Sequence, residues 1–127
     1  MAGNVLSDDI VGSIEFACKV AGVKLIVIMG HTSCGAVIGA CDDVALGKIT
    51  GLVNKIRPAV QTIQKKRPDE NSTHKEFVAA VAKQNVENVK EALTSESLVI
   101  RKMVGNGEIE IVGAMYDVEN GQVYFDR

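Results

Sequence analysis

Tryptophan is absent from this chain, and aromatic residues of all kinds make up only 4% of it. That scarcity counts against base-stacking and sugar-binding platforms. Net charge is nearly absent too, at −2 over 127 residues, so no global field draws in nucleic acid. The densest basic stretch, Lys65-Lys66-Arg67, is offset by Asp69 and Glu70 just beyond Pro68 and reads as a solvated loop. No apolar run approaches the roughly 20 residues that cross a bilayer, so no membrane association is expected. Asp8 and Asp9 stand where a secretory signal carries lysines, and no such signal is visible. Cysteine is sparse and odd in number, at three, which does not make a disulfide framework, and no Cys-x-x-Cys redox pair occurs. A reducing, cytoplasmic compartment is the expectation.

What remains is an ordinary globular composition, 46% hydrophobic and 24% charged, sized for one domain over residues 1–127 with a sizeable core. Ser7 reads as an N-cap, with Asp8 and Asp9 in the first turn where the helix dipole favours anions. Ile10, Val11, Ile14, Ala17, Cys18 and Ala21 repeat at helical spacing up to Gly22, a C-cap glycine. The run Lys24 to Met29 is continuous, apolar and rich in Ile and Val, which predicts a strand buried on both faces. Ala36 to Cys41 starts another helix. Ile49, Leu52, Val53, Ile56, Val60 and Ile63 form a further stripe, with Pro58 as a kink or break. Lys65 to Thr73 is an exposed connection. A long helix is predicted over Lys75 to Thr94 and a short one over Leu98 to Val104. Glu108 to Tyr116 alternates as a strand, and Asn120-Gly121 predicts a hairpin returning through Val123 and Phe125. The fold class is α/β, a mostly parallel sheet flanked by helices.

Chemistry concentrates in Gly30-His31-Thr32-Ser33-Cys34-Gly35, directly after the first strand. An imidazole and a thiol on one short loop are donors that zinc accepts. A helix beginning at the thiol favours the thiolate that a metal needs. The C-terminal end of a strand is where open α/β sheets place their sites. His31 and Cys34 are therefore the candidate metal ligands. A buried cysteine beside a satisfied histidine is the plain alternative.

The stretch Ser13-Ile14-Glu15-Phe16-Ala17, followed by Gly22 to Met29 and Gly30-His31-Thr32-Ser33-Cys34-Gly35-Ala36, resembles the β-class carbonic anhydrases. In that family a helix of the form S-x-E-[YF]-A leads into a strand and then G-H-[ST]-x-C-G-A. Gly3-Asn4 is similar to the end of the family's R-N-x-[AG]-N stretch. Asn85-Val86 lies in a long helix as in the family, and Gly113-Ala114-Met115-Tyr116-Asp117 resembles its late G-x-x-Y-[DN] strand. The resemblance implies a zinc enzyme that hydrates carbon dioxide reversibly to bicarbonate, assembled as a homodimer or homotetramer. It implies His31 as the imidazole ligand, Cys34 as a thiolate ligand and Gly35 beside the substrate space.

The departures are as specific. The family's other cysteine ligand sits in C-x-D-x-R on an earlier strand, whose Asp and Arg pair beside the metal, and this sequence has no such motif before Gly3. The expectation is a chain N-terminally truncated relative to the family, with no catalytic residue identifiable and an incomplete zinc site. Cys41-Asp42-Asp43-Val44-Ala45 imitates the motif but carries Ala45 in place of Arg, and Cys41 is set aside as coincidence. Cys18 reads as core, Asn85 as a bond to a neighbouring loop, His74 as solvated or helix-capping, and Tyr116 and Tyr124 as cross-strand packing. The chain alone is expected to be weakly active or inactive. A degenerate, non-catalytic assembly domain and a carbon disulfide or carbonyl sulfide hydrolase are the alternative readings.

Overall fold

The computed structural model describes residues 1–126. After a short 3-10 turn (Ala2–Asn4) come helix α1 (Asp8–Glu15), a π-helical turn (Phe16–Val20) and strand β1 (Leu25–His31). Helices α2 (Gly35–Cys41), α3 (Gly47–Asn54), α4 (Arg57–Lys66), α5 (Lys75–Glu96) and α6 (Leu98–Gly105) follow in succession. Strands β2 (Glu110–Tyr116) and β3 (Val123–Asp126) complete the described chain.

The element boundaries follow from local chemistry. Ser7 has extended backbone, and its hydroxyl accepts from the Ile10 N–H at 3.4 Å, capping α1. Past Glu15 the helix widens, because the Ala21 N–H reaches back five residues to the Phe16 carbonyl at 3.1 Å. Gly22, at φ +78°, then ends it in the left-handed region. Pro58 lies in the first turn of α4, where its missing N–H costs nothing, so the stripe from Ile49 to Ile63 is two helices rather than one kinked helix. Ser97 caps α6 by accepting from the Ile100 N–H at 3.1 Å, and its own proton goes to Glu15 Oε1 at 2.7 Å. That pair ties the start of α6 to the end of α1.

The sheet has the order β1-β2-β3. β1 and β2 are parallel, in register from Leu25↔Glu110 to His31↔Tyr116. β2 and β3 are antiparallel, from Gly113↔Asp126 to Tyr116↔Val123. α5 lies across β1 and β2 at two glycines. A Cβ on Gly30 would come within 2.9 Å of Val86 Cγ2, and one on Gly113 within 3.0 Å of Val86 Cγ1. Two apolar clusters result. One joins Val11, Ile26, Ile28, Val89, Leu93 and Ile100 beneath the sheet. The other joins Val37, Val53, Ile56, Val60, Phe77 and Val81 among the helices that follow the loop.

Two expectations change. β1 is not buried on both faces: Ile26 and Ile28 are buried, whereas Leu25, Val27 and Met29 are 50%, 41% and 47% exposed. The reason is that among the described residues β1 pairs on one side only and the helical layer packs on the face of Ile26 and Ile28. The β2–β3 turn is also longer than a two-residue hairpin. Tyr116 pairs with Val123, and the connection is closed by bonds from the Asp117 N–H to the Gln122 carbonyl and from the Gly121 N–H to the Asp117 carbonyl, both 2.8 Å. Asn120-Gly121 lies at the end of that connection, with Gly121 at φ +75°.

The close approach of α5 yields a stability test. Gly30→Ala forces a methyl against Val86 and the Met115 sulfur and is expected to cost about 1–3 kcal/mol. Gly35→Ala, where nothing lies within 4 Å of an added Cβ, is expected to leave the urea midpoint close to wild type.

Candidate metal-binding loop

Three features hold the loop in place. β1 ends at His31, and the Thr32 N–H continues its ladder by donating to the Tyr116 carbonyl at 3.0 Å. Thr32 Oγ1 accepts from the Val118 N–H at 3.0 Å. Ser33 then takes φ +54°, and Cys34 forms the N-cap of α2, its carbonyl accepting from the Ile38 N–H at 3.0 Å. The left-handed residue lets a strand turn into a helix within two positions.

His31 is half-buried, and its Nδ1 lies 2.8 Å from the Thr32 carbonyl oxygen. A carbonyl only accepts, so Nδ1 carries the proton, and in the neutral ring the lone pair sits on Nε2. That is the state in which imidazole binds a metal, with the other nitrogen fixed by a hydrogen bond. Cys34 is 4% exposed and borders the helical cluster of Val37 and Ala40. Gly35 opens α2 and lines a groove of about 480 Å³, together with Gly39, Val44, Ile49 and Leu52. Apolar side chains and glycine form most of this groove, with Lys48 at its wall.

The two donors fit zinc in kind, and the histidine is held in the suitable tautomer. They do not close a site: among the described residues no group of three or more His, Cys, Asp or Glu side chains is placed to hold a metal. Cys41 ends α2, and six residues at 1.5 Å rise put it about 9 Å along the helix from Gly35. Burial, reinforced by Asp42 and then Asp43, pushes its thiol up to about 11. Cys18 is buried in the other cluster, where burial raises its thiol and Lys24 partly opposes the rise.

The remaining residues mostly have structural explanations. Asn85 is 1% exposed and donates through Nδ2 to the Gly3 carbonyl at 2.7 Å, tying α5 to the N-terminal turn. It also lines a larger groove of about 890 Å³ with Leu6, Lys55 and Glu96, which includes no residue of the His31–Cys34 loop. His74 is the N-cap of α5 by position, but its Nδ1 accepts from the Asn71 N–H at 3.2 Å rather than capping the helix. Tyr116 pairs with Val123 and Tyr124 with Met115. Asn4 Nδ2 is a buried donor without a partner among the described residues. Thr32 and Val118 are the contributors that residue spacing had not singled out. The hydroxyl position inside G-H-[ST]-x-C-G was the available signal.

Residues 1–123 match the family described as Carbonic anhydrase. The chain belongs to the β-class carbonic anhydrases. It is 33% identical over 126 residues to Carbonic anhydrase 2 of Mycobacterium tuberculosis, spanning 95% of this chain and 58% of that protein. To the carbonic anhydrase of Mycolicibacterium smegmatis it is 34% identical over 130 residues, again spanning 58% of the relative. The chain thus spans little more than half the length of these relatives. Among solved structures, the β-carbonic anhydrase CafA of Aspergillus fumigatus superposes with a TM-score of 0.84 at 30% identity, covering 98% of this chain and 60% of that one. Tetrameric β-carbonic anhydrases of Sordaria macrospora superpose with a TM-score of 0.84 at 25% identity, covering 98% and 64%.

The placement of Cys41 can be checked by alkylation. With a thiol near 11, its thiolate fraction at pH 8 is about a thousandth, roughly a hundredfold below that of an ordinary cysteine. Iodoacetamide labelling of Cys41, followed by peptide mass spectrometry, is expected to be slower by about that factor than labelling of a free cysteine. The difference should shrink as pH rises towards 11.

Proposed function

We propose that this chain is a zinc-dependent carbonic anhydrase sequence carrying two of the metal's protein ligands, His31 and Cys34. The observation that carries the reading is a family match over residues 1–123 that includes a loop whose imidazole presents Nε2. Bound zinc would supply a Lewis acid and a water acidic enough to ionise near neutral pH, able to add to carbon dioxide and give bicarbonate. The chain's own residues do the positioning. His31 offers Nε2 because Nδ1–H is engaged by Thr32, and Cys34 offers sulfur from the mouth of α2. Gly35 leaves the adjoining apolar groove open, which suits a small molecule with no net charge.

Because the described residues provide no third ligand, this polypeptide by itself is proposed to be weakly active or inactive. The same observation supports a second reading, a non-catalytic domain that assembles without metal. Zinc analysis separates the two. In the first reading Cys34→Ser and His31→Ala each abolish whatever zinc the chain takes up, whereas Cys41→Ser leaves it unchanged. Zinc uptake indifferent to Cys34 and His31 would overturn the assignment. Stopped-flow hydration of carbon dioxide on this chain should show rates far below those of a complete enzyme.

Assembly into a homodimer or homotetramer is proposed on the exposed face of β1. Leu25, Val27 and Met29 stand beside an unpaired strand edge, and Val123 and Phe125 of β3 are 40% and 57% exposed. Such edges and apolar faces favour pairing with another chain. Val27→Lys is expected to shift the mass measured by light scattering towards the monomer. No described helix is long and apolar enough to cross a membrane, and the three cysteines are free thiols, which suits the proposed cytoplasmic setting.

A further inference from the structure

Thr32 uses every polar group it has. Its N–H donates to the Tyr116 carbonyl and its hydroxyl oxygen accepts from the Val118 N–H, both at 3.0 Å, while its carbonyl accepts from His31 Nδ1 at 2.8 Å. The first two bonds reach the end of β2 and the start of the β2–β3 connection, 84 and 86 positions away in sequence (116 − 32 and 118 − 32). Thr32 is therefore held from one side by the end of β2 and the β2–β3 connection. Immediately beyond it Ser33 is left-handed at φ +54°, so without an external hold this peptide is the loop's weak point. Unrestrained neutral imidazole has no partner that keeps the proton on Nδ1. Here the partner is the carbonyl of Thr32, whose hydroxyl is bonded to the β2–β3 connection.

We infer that Thr32 is a positioning residue: its hydroxyl, clamped by the Val118 N–H, fixes the Thr32 carbonyl so that His31 keeps its proton on Nδ1 and presents Nε2. The inference rests on the reading of His31 as a metal ligand for its purpose, but not for its geometry. The connection between β2 and β3 thereby becomes part of the loop's support, because Val118 is held in a turn closed by the Gly121 N–H on the Asp117 carbonyl. A purely structural role is the competing account, in which the hydroxyl only completes the turn and the imidazole is indifferent to it.

The clamp can be opened from either end. Thr32→Val keeps the shape and removes the acceptor, Val118→Pro removes the donor without touching Thr32, and Thr32→Ser keeps the hydroxyl. The chain is labelled with ¹⁵N, and the imidazoles are read by long-range ¹H–¹⁵N correlation, with His74→Gln assigning His31. Wild type and Thr32→Ser should show His31 as the Nδ1–H form. Thr32→Val and Val118→Pro should both show a mixture moved towards Nε2–H, with the remaining amide spectrum preserved. If one variant fails to fold, the other carries the test.

Cobalt(II) titration, followed by the thiolate-to-metal absorption band, gives the second readout. The two clamp variants are expected to bind about tenfold more weakly than wild type, and Thr32→Ser within twofold. His31 remaining wholly Nδ1–H in both clamp variants would overturn the inference, whereas unchanged cobalt affinity in variants whose tautomer had shifted would uphold the clamp and overturn its purpose in metal binding. Wild type that shows no cobalt band, yet a hydroxyl-dependent tautomer, would instead sink the metal reading and leave the clamp standing.

Discussion

The parallel pairing of β1 with β2 is the constraint on which the rest depends. Its register, running to His31↔Tyr116, brings the end of β1 beside the start of the β2–β3 connection. Only there does Thr32 find both the Tyr116 carbonyl and the Val118 N–H. A parallel pair cannot be closed by a short turn. The chain spends α2 through α6 on the crossover, and α5 of that crossover seals the sheet at Gly30 and Gly113. Shifting β1 by one residue would exchange Ile26 and Ile28 for Val27 and Met29 beneath α5. It would also carry His31 away from Tyr116. Packing and site geometry are thus consequences of a single register.

The loop itself combines two opposite demands. Cys34 is nearly buried at the edge of the helical cluster, which makes its position reproducible. His31 stays half-exposed with one nitrogen engaged and the other free. Between them, left-handed Ser33 reverses the chain's direction. Gly35 leaves room on the groove side, whereas Gly30 is needed for contact with α5. The two glycines flanking the motif therefore serve different purposes, one admitting space and the other excluding it.

The raised thiols of Cys18 and Cys41 follow from the same packing. Both thiols are raised by burial, Cys41 further by its acidic neighbours Asp42 and Asp43. Asn85, the most buried amide, is satisfied by the Gly3 carbonyl and ties the N-terminal turn to the helix that covers the sheet. This polar staple, together with the bond from Ser97 to Glu15, fixes how α1 and the N-terminal turn sit against α5 and α6.

Much of this was legible in the residue order. Caps at Ser7 and Gly22, the helical stripes, the apolar run of β1 and the His31–Cys34 loop are all local signals, carried by spacing and by backbone preferences of single residues. Pro58 marked the break between α3 and α4 because proline acts within its own turn. What the order of residues left undecided was everything set by neighbours distant in sequence. A run such as Leu25-Ile26-Val27-Ile28-Met29 is equally apolar on both faces. Only the one-sided pairing of β1 and the placement of α5 decided which face is covered. The tautomer of His31 was likewise undecided, because the partner that sets it is oriented from Val118, far along the chain. Local preference is written residue by residue, but burial and proton position belong to pairs of residues that meet only after folding.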